Sequence, residues 1–226
     1  MSFPGFPADT LRFFADLAVN NTRDWFEDNR NRYETSVREP AEAFIMSLGP
    51  LLATTYPAVS FDLRRNGAGS LMRLHRDVRF AKDKSPYKQN LGIIFPLQPG
   101  KKVEVPMFYF HIDPVQAFFY GGQHVFTPEL LQRYRQALDD AKRGSAIPAI
   151  LEKLAAQDLP LMEDPAYKRV PRGWPADHPR TELLRQAALG VGRNFSAEQL
   201  TQPDLVEQCR KSAVAMKPLL DWLQAL

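Results

Sequence analysis

Residues 105–122 read VPMFYFHIDPVQAFFYGG, two largely apolar runs on either side of Asp113-Pro114. Phe108, Phe110 and Ile112 alternate with Tyr109 and His111, the period-two pattern of a strand with one buried face. Only Asp113-Pro114 separates Val105–Ile112 from a second strand-like run, Val115–Gly121. So short a connection implies an antiparallel hairpin.

Working outward, three more runs read as strands: Val59–Arg64, Leu71–Phe80 and Leu91–Leu97, with a turn at Asn66-Gly67-Ala68-Gly69. Helical patterns lie on either side. Leu11, Phe14 and Ala18 recur at helical spacing and stop at Asn20-Asn21. Asn21 or Thr22 caps a second helix, with Trp25, Asn29 and Tyr33 on one face. Pro40 suits the first turn of a third helix, whose apolar residues run from Phe44 to Leu52 and which ends at Tyr56-Pro57. After the strands, Thr127-Pro128 opens a helix to about Lys142, and further helices are expected near Ile147–Ala156, Thr181–Leu189 and Pro203–Leu226, the last kinked at Pro218. A proline-rich loop spans 168–180. Helices grouped around an antiparallel sheet of about five strands make the class α+β. The expected organisation is one domain, 1–226, with N-terminal helices over 1–57, a sheet over 58–125 and C-terminal helices over 126–226.

The composition of the 226 residues is that of a globular protein: 44% hydrophobic, 24% charged, net charge +3. The single cysteine, Cys209, excludes an internal disulfide and multi-cysteine metal sites. That suits a reducing compartment, and the expected location is the cytoplasm. The N-terminal residues do not read as a signal peptide, and no stretch approaches the ~20 apolar residues of a membrane helix, so no membrane partner is expected. The sequence pI of about 9.0 is compatible with an anionic partner.

The basic excess is concentrated in one place. RLHRDVRFAKDKSPYK, residues 73–88, holds six basic and two acidic side chains. Read as a strand, Leu71–Phe80 puts Arg73, His75, Asp77 and Arg79 on one face and Met72, Leu74, Arg76, Val78 and Phe80 on the other. Arg76 then stands in an apolar row. It needs a partner there: a carboxylate, backbone carbonyls or a bound anion. Arginine and lysine converging at a strand end match phosphate or carboxylate geometry. The ligand-binding set is therefore Arg73, Arg76, Asp77, Arg79, Asp83, Lys84, Tyr87 and Lys88. In it the cations supply charge, the two aspartates orient the arginines, and Tyr87 donates a hydrogen bond.

The spaced pattern Arg73-x-x-Arg76-Asp77-x-Arg79-Phe80-x-x-Asp83-Lys84-x-x-Tyr87 resembles the central motif of a bacterial family filed as domain of unknown function 2461. The resemblance extends to Asn20-Asn21-x-Arg23-x-Trp25-Phe26 with Asn29-Arg30-x-x-Tyr33, to Tyr120-Gly121-Gly122, and to Pro171-Arg172-Gly173-Trp174 with Asp177-His178-Pro179. It covers nearly the whole chain. It implies no activity, substrate or cofactor, and no catalytic residue can be carried over from it.

The sequence holds no phosphate-binding glycine loop, dinucleotide fingerprint, zinc-protease helix or serine-nucleophile elbow. His75-x-Asp77 and His111-x-Asp113 place a histidine and a carboxylate on one strand face, which with His124 or His178 would make a two-histidine, one-carboxylate set. Against this, Asp113 reads as a turn residue and Asp77 is surrounded by arginines, so no metal ligands are assigned. His75, His111 and His178 suit proton transfer by intrinsic pKa. Three functions stay open. The first is a cleft binding a small phosphorylated or carboxylated molecule, catalytic or not. The second is nucleic-acid binding by basic residues beside Phe80, Tyr87, Tyr109 and Tyr120. The third is a structural or interaction domain whose charged motif is an internal salt-bridge network. No cofactor or oligomeric state is legible.

Overall fold

A computed structural model describes residues 3–65, 67–163 and 165–226. Its class is α+β, with a single antiparallel sheet of four strands, β1 (Leu91–Pro96), β2 (Met107–Ile112), β3 (Ala117–Gln123) and β4 (Leu189–Asn194), adjacent in that order. The hairpin read from residues 105–122 is β2–β3. Asp113 closes it, its Oδ1 accepting from the Val115 and Gln116 N–H groups at 2.7 and 2.8 Å. Phe108, Phe110 and Ile112 are buried, as their alternation requires.

Two of the five expected strands are absent and one unexpected strand is present. Val59–Arg64 has no regular structure, and Leu71–Phe80 contributes only isolated bridges at Leu71 and His75. Of the turn expected between them, Asn66 lies outside the described residues. The unforeseen strand is β4, at the end of a segment read as helix to Leu189. Its sequence, LGVGRN, carries two glycines, which weaken a strand signal. Packing demands at least one of them. A Cβ on Gly190 would run into the Tyr120 ring, and one on Gly122 would strike the Gly190 backbone.

The chain forms two compact units. The first comprises residues up to 95, 109–119 and 194–211. It contains α1 (Asp9–Val19), α2 (Arg23–Asp28), α3 (Arg30–Tyr33), a π-helical segment Glu34–Arg38, α4 (Glu39–Ala53) and α8 (Ala197–Leu200). Thr22 caps α2, its hydroxyl accepting from the Trp25 N–H at 3.3 Å. The third expected helix does not begin at Pro40. Helix runs without a break from Arg30 to Ala53, and the π turn lies just before the proline. The cause is local: Pro40 has no N–H to give the Ser36 carbonyl four residues earlier. The buried Thr10 hydroxyl donates to that carbonyl instead, at 2.5 Å. An aromatic core fills this unit. Phe44 and Phe110 lie 4.5 Å apart between ring centroids, and Phe6 stacks on Phe110 at 5.7 Å.

The second unit comprises residues 96–108, 120–193 and 212–226. It contains α5 (Pro128–Asp139), α6 (Ala146–Ala155), α7 (Thr181–Leu184) and α10 (Lys217–Gln224), the last with Pro218 in its first turn. The break near Pro218 thus takes the form of a new helix start rather than a bend. α9 (Leu205–Ala215) has residues in both units. Tyr134 anchors the second unit, stacked on Phe126 at 4.6 Å and donating its hydroxyl proton to Leu183 O at 2.9 Å. Arg180 Nε donates to Leu138 O and His178 pairs with Asp139 at 3.2 Å, so the proline-rich loop caps the C-terminal end of α5.

Two outcomes follow. Arg32 donates to both oxygens of Asp9 at 2.8 Å, and this holds the Asp9 carboxyl down at about pKa 2. A depressed folded value means stabilisation that is complete above ~pH 4 and lost as pH falls toward 2. Asp9→Asn should remove about 1 kcal/mol at pH 7, after allowance for solvent screening, and little at pH 2, read from urea melts at both pH values. Gly190→Ala, which overpacks against Tyr120, should cost about 1–3 kcal/mol in the same melts.

Candidate functional site

Residues 70–90 form an irregular arm in the first unit that pairs at its base with β1. The Ile94 N–H donates to Ser70 O and the Met72 N–H to Gly92 O, both at 2.9 Å. The next bonds are Lys88 N–H to Leu74 O at 2.8 Å and Arg76 N–H to Pro86 O at 2.9 Å. Between these pairs the outgoing chain advances by two residues and the returning chain by four. The register slips, the ladder breaks, and the row Met72, Leu74, Arg76, Val78, Phe80 does not persist. Leu74 is buried, whereas Phe80 is 95% exposed.

The tip of the arm is closed by its own charges. Arg79 grips Asp77 through Nε at 3.0 Å and Nη2 at 2.7 Å. Asp83 accepts from the Ser85 hydroxyl at 2.6 Å and backbone N–H at 2.9 Å, and pairs with Arg76. Arg79 draws the Asp77 carboxyl below its ordinary range, and the Ser85 hydroxyl followed by Arg76 does so for Asp83. Lys84 Nζ donates to Val78 O at 3.0 Å. The partner that Arg76 needed is thus a carboxylate of its own arm.

Tyr87 roots the arm. It is buried, stacks on Phe26 at 4.3 Å, and meets the His75 ring edge-on at 5.0 Å. Its backbone N–H donates to Asn21 Oδ1 at 3.1 Å, and its carbonyl accepts from Asn21 Nδ2 at 3.0 Å. Lys88 lies half-buried beside Arg73. Burial, and then the Arg73 charge, push its ammonium pKa down. Among the described residues neither Arg73 nor Lys88 has an ion-pair partner.

Between this arm and the π-containing helix lies a cavity of about 300 Å³. The helical wall presents Arg30, Tyr33, Glu34, Arg38 and Glu42. In an unbroken α-helix, residues four apart drift by ~40° around the axis. A π turn advances less per residue and offsets some of that drift, which keeps the line from Arg30 to Glu42 on one face. Arg38 is the best-buried charge on this wall, its side chain 14% exposed. Its Nη1 donates to both Glu34 oxygens at 2.9 Å and its Nε to Glu42 at 3.1 Å. Burial pushes the Tyr33 phenol up to about 12. The opposite wall presents Arg64, Arg65, Arg73 and His75 over an apolar lining of Leu71, Met72 and Leu74. Asp62 shapes it, accepting from the Arg64 backbone at 2.8 Å and pairing with its guanidinium at 2.8 Å.

Of the eight residues in the sequence-derived set, Arg73 lines this cavity and Lys88 stands next to it, Tyr87 anchors the arm, and the other five form the tip. Arg30, Arg38, Arg64 and Arg65 were not foreseen as members of one site. Arg30 and Arg38 are eight residues apart and read as ordinary helix-surface charges, so only the helical spacing with Tyr33 hinted at a shared face.

A second cluster lies on β2. His111 Nε2 bonds Asp113 Oδ2 at 2.8 Å, its Nδ1 faces the Tyr109 hydroxyl at 3.3 Å, and its ring stacks on Phe118 at 4.8 Å. The His111-x-Asp113 pair therefore binds to itself and braces the hairpin. Among the described residues no group of three or more histidine, cysteine or acidic side chains is placed to hold a metal ion, and no helix is long and apolar enough to cross a membrane.

The family described as conserved hypothetical protein (DUF2461) matches residues 9–222. No curated protein matches the chain.

The exposures of the ion pair and of the anchor set two expectations. The Arg76 and Asp83 side chains are 29% and 61% exposed, so Arg76→Ala should shift stability by no more than ~1 kcal/mol. Tyr87→Ala opens a void against Phe26 and should cost about 3 kcal/mol. Urea titrations of the two variants check the contrast.

Proposed function

Because the chain belongs to the DUF2461 family, whose description names no activity, its function is read from its own geometry, and we propose that it binds a small phosphorylated or carboxylated molecule at the arm-and-helix cavity. The observation that carries this is Arg73 beside Lys88. Neither forms a direct ion pair among the described residues, Asp77 reaching Arg73 only through its longer-range field, and an anion between the two cations relieves their mutual repulsion. Arg65 adds a third cation with no ion-pair partner among the described residues. Arg76, Asp77, Arg79, Asp83 and Lys84 complete the proposed set as the element that shapes the arm and brings further charge toward the ligand, and Tyr87 holds that element in place. Whether chemistry follows binding is a separate matter: the Tyr109–His111–Asp113 chain is the nearest arrangement in this unit to an acid–base relay.

A second reading, nucleic-acid binding, is favoured by one feature. Phe80 is 95% exposed at the arm tip with the Arg79 guanidinium 5.9 Å from its ring centre. An exposed ring beside a guanidinium is the pairing by which a base is stacked next to its phosphate, Arg79 then exchanging its Asp77 contact for the phosphate. Tyr87 and Tyr120 are buried and add nothing to such a surface. The third reading, a purely structural charge network, sits poorly with ion pairs as exposed as Arg79–Asp77, at 77% and 43%.

Thermal melting at low salt with inorganic phosphate, citrate, a sugar phosphate and a short single-stranded oligonucleotide tests the proposal. A small anion at 100 times its dissociation constant should add roughly 2.7 kcal/mol of stability. That stabilisation should disappear in Arg73→Ala and Lys88→Ala. Stabilisation only by the oligonucleotide, lost in Phe80→Ala and falling steeply with salt, would establish the second reading instead.

A further inference from the structure

The charges of the cavity are not distributed evenly. On the helical wall Arg30 is neutralised by Glu27, with contacts of 2.9 and 2.5 Å. Arg38 is shared between Glu34 and Glu42, so one positive charge faces two negative ones. That wall carries a net charge of −1. On the opposite wall Arg64 is neutralised by Asp62, while Arg65 and Arg73 have no ion-pair partner among the described residues. That wall carries +2. The side chains of Glu34 and Glu42 are 35% and 30% exposed, accessible but not bathed in solvent.

A simple inorganic anion satisfies only half of this arrangement. Each carboxylate oxygen accepts about two hydrogen bonds. Arg38 uses one site on each Glu34 oxygen and one on Glu42 Oε1, and Glu42 Oε2 has no bond among the described residues. Acceptors left facing a bound anion are both unmatched and repulsive. A ligand complementary to both walls carries its negative group toward Arg65 and Arg73 and a cationic donor toward Glu34 and Glu42. Between them the cavity offers Phe26, Tyr33 and the apolar edge of Leu71 and Met72, and its volume of about 300 Å³ exceeds the space a bare phosphate needs.

Resting on the anion-site reading above, we infer that the ligand is an amine-bearing phosphate ester with a flat or apolar body, its phosphate on the Arg65–Arg73 wall and its ammonium on the Glu34–Glu42 wall. An ammonium is preferred over a hydroxyl because the helical wall has an uncompensated negative charge. A neutral hydroxyl fills an acceptor without cancelling that charge.

The test is calorimetric titration of the full chain at pH 7 with three probes: pyridoxamine 5′-phosphate, pyridoxine 5′-phosphate and inorganic phosphate. The first two share ring and phosphate and differ in an aminomethyl against a hydroxymethyl group. The expected result is at least a tenfold preference for the amine. The gap should close in Glu42→Gln, with the affinity for pyridoxine 5′-phosphate retained, and Arg73→Ala should weaken both esters together. Equal affinity of the two esters in the unsubstituted protein overturns the ammonium assignment and leaves the anion site standing. Binding by none of the three overturns the anion site as well. If Glu42→Gln does not fold, the comparison in the unsubstituted protein still decides the question.

Discussion

The sheet depends on one carboxylate. Asp113 takes two backbone N–H groups with Oδ1 and the His111 ring with Oδ2, and so turns β2 directly into β3. These are the two central strands: β1 pairs with β2, and β4 pairs with β3. A hairpin loop this short leaves little freedom in register. The buried row Phe108, Phe110 and Ile112 is thereby committed to one face and Tyr109 and His111 to the other. Phe110 then receives Phe44 and Phe6, which ties the N-terminal helices to the same face within the first unit.

The cavity exists because a second constraint acts on the longest helix. Pro40 breaks its hydrogen-bond ladder, the chain widens into a π turn, and Thr10 satisfies the carbonyl left over. Glu34 and Arg38 both belong to that turn. Insertions of this kind recur at functional sites because they re-aim side chains without ending the helix. The arm that faces this helix is irregular for a related reason. Its ladder loses register after Met72, which frees the tip from the sheet and lets Arg76, Asp77, Arg79 and Asp83 bond among themselves.

These charge pairs hold shape more than stability. They are exposed, and exposed pairs contribute little to folding. The arm is fixed where it is apolar and doubly hydrogen-bonded, at Tyr87, Phe26 and Asn21. A robust root beneath a charged, solvent-facing tip is the arrangement on which the proposed binding role rests. It is a weak design for a network whose purpose is to hold the fold together.

Local pattern determined much of this protein. The hairpin at Asp113-Pro114, the Thr22 and Thr127 caps, the helical ends and the α+β class are all short-range consequences of spacing and residue type, and short-range signals survive in a bare sequence. So did the concentration of basic residues in 73–88, of which Arg73 lines the cavity. Tertiary structure alone decided the rest. β4 hides behind Gly190 and Gly192, of which Gly190 answers to the Tyr120 ring across the sheet and not to strand propensity. Leu71–Phe80 alternates like a strand but lacks a returning chain in register. The assembly of Arg30, Arg38, Arg65 and Arg73 around one cavity depends on a π turn and a slipped ladder. Neither shows as a periodicity: Pro40 marks the π turn locally but the carbonyl it leaves is met by distant Thr10, and the slip of the ladder appears only once the two chains are paired.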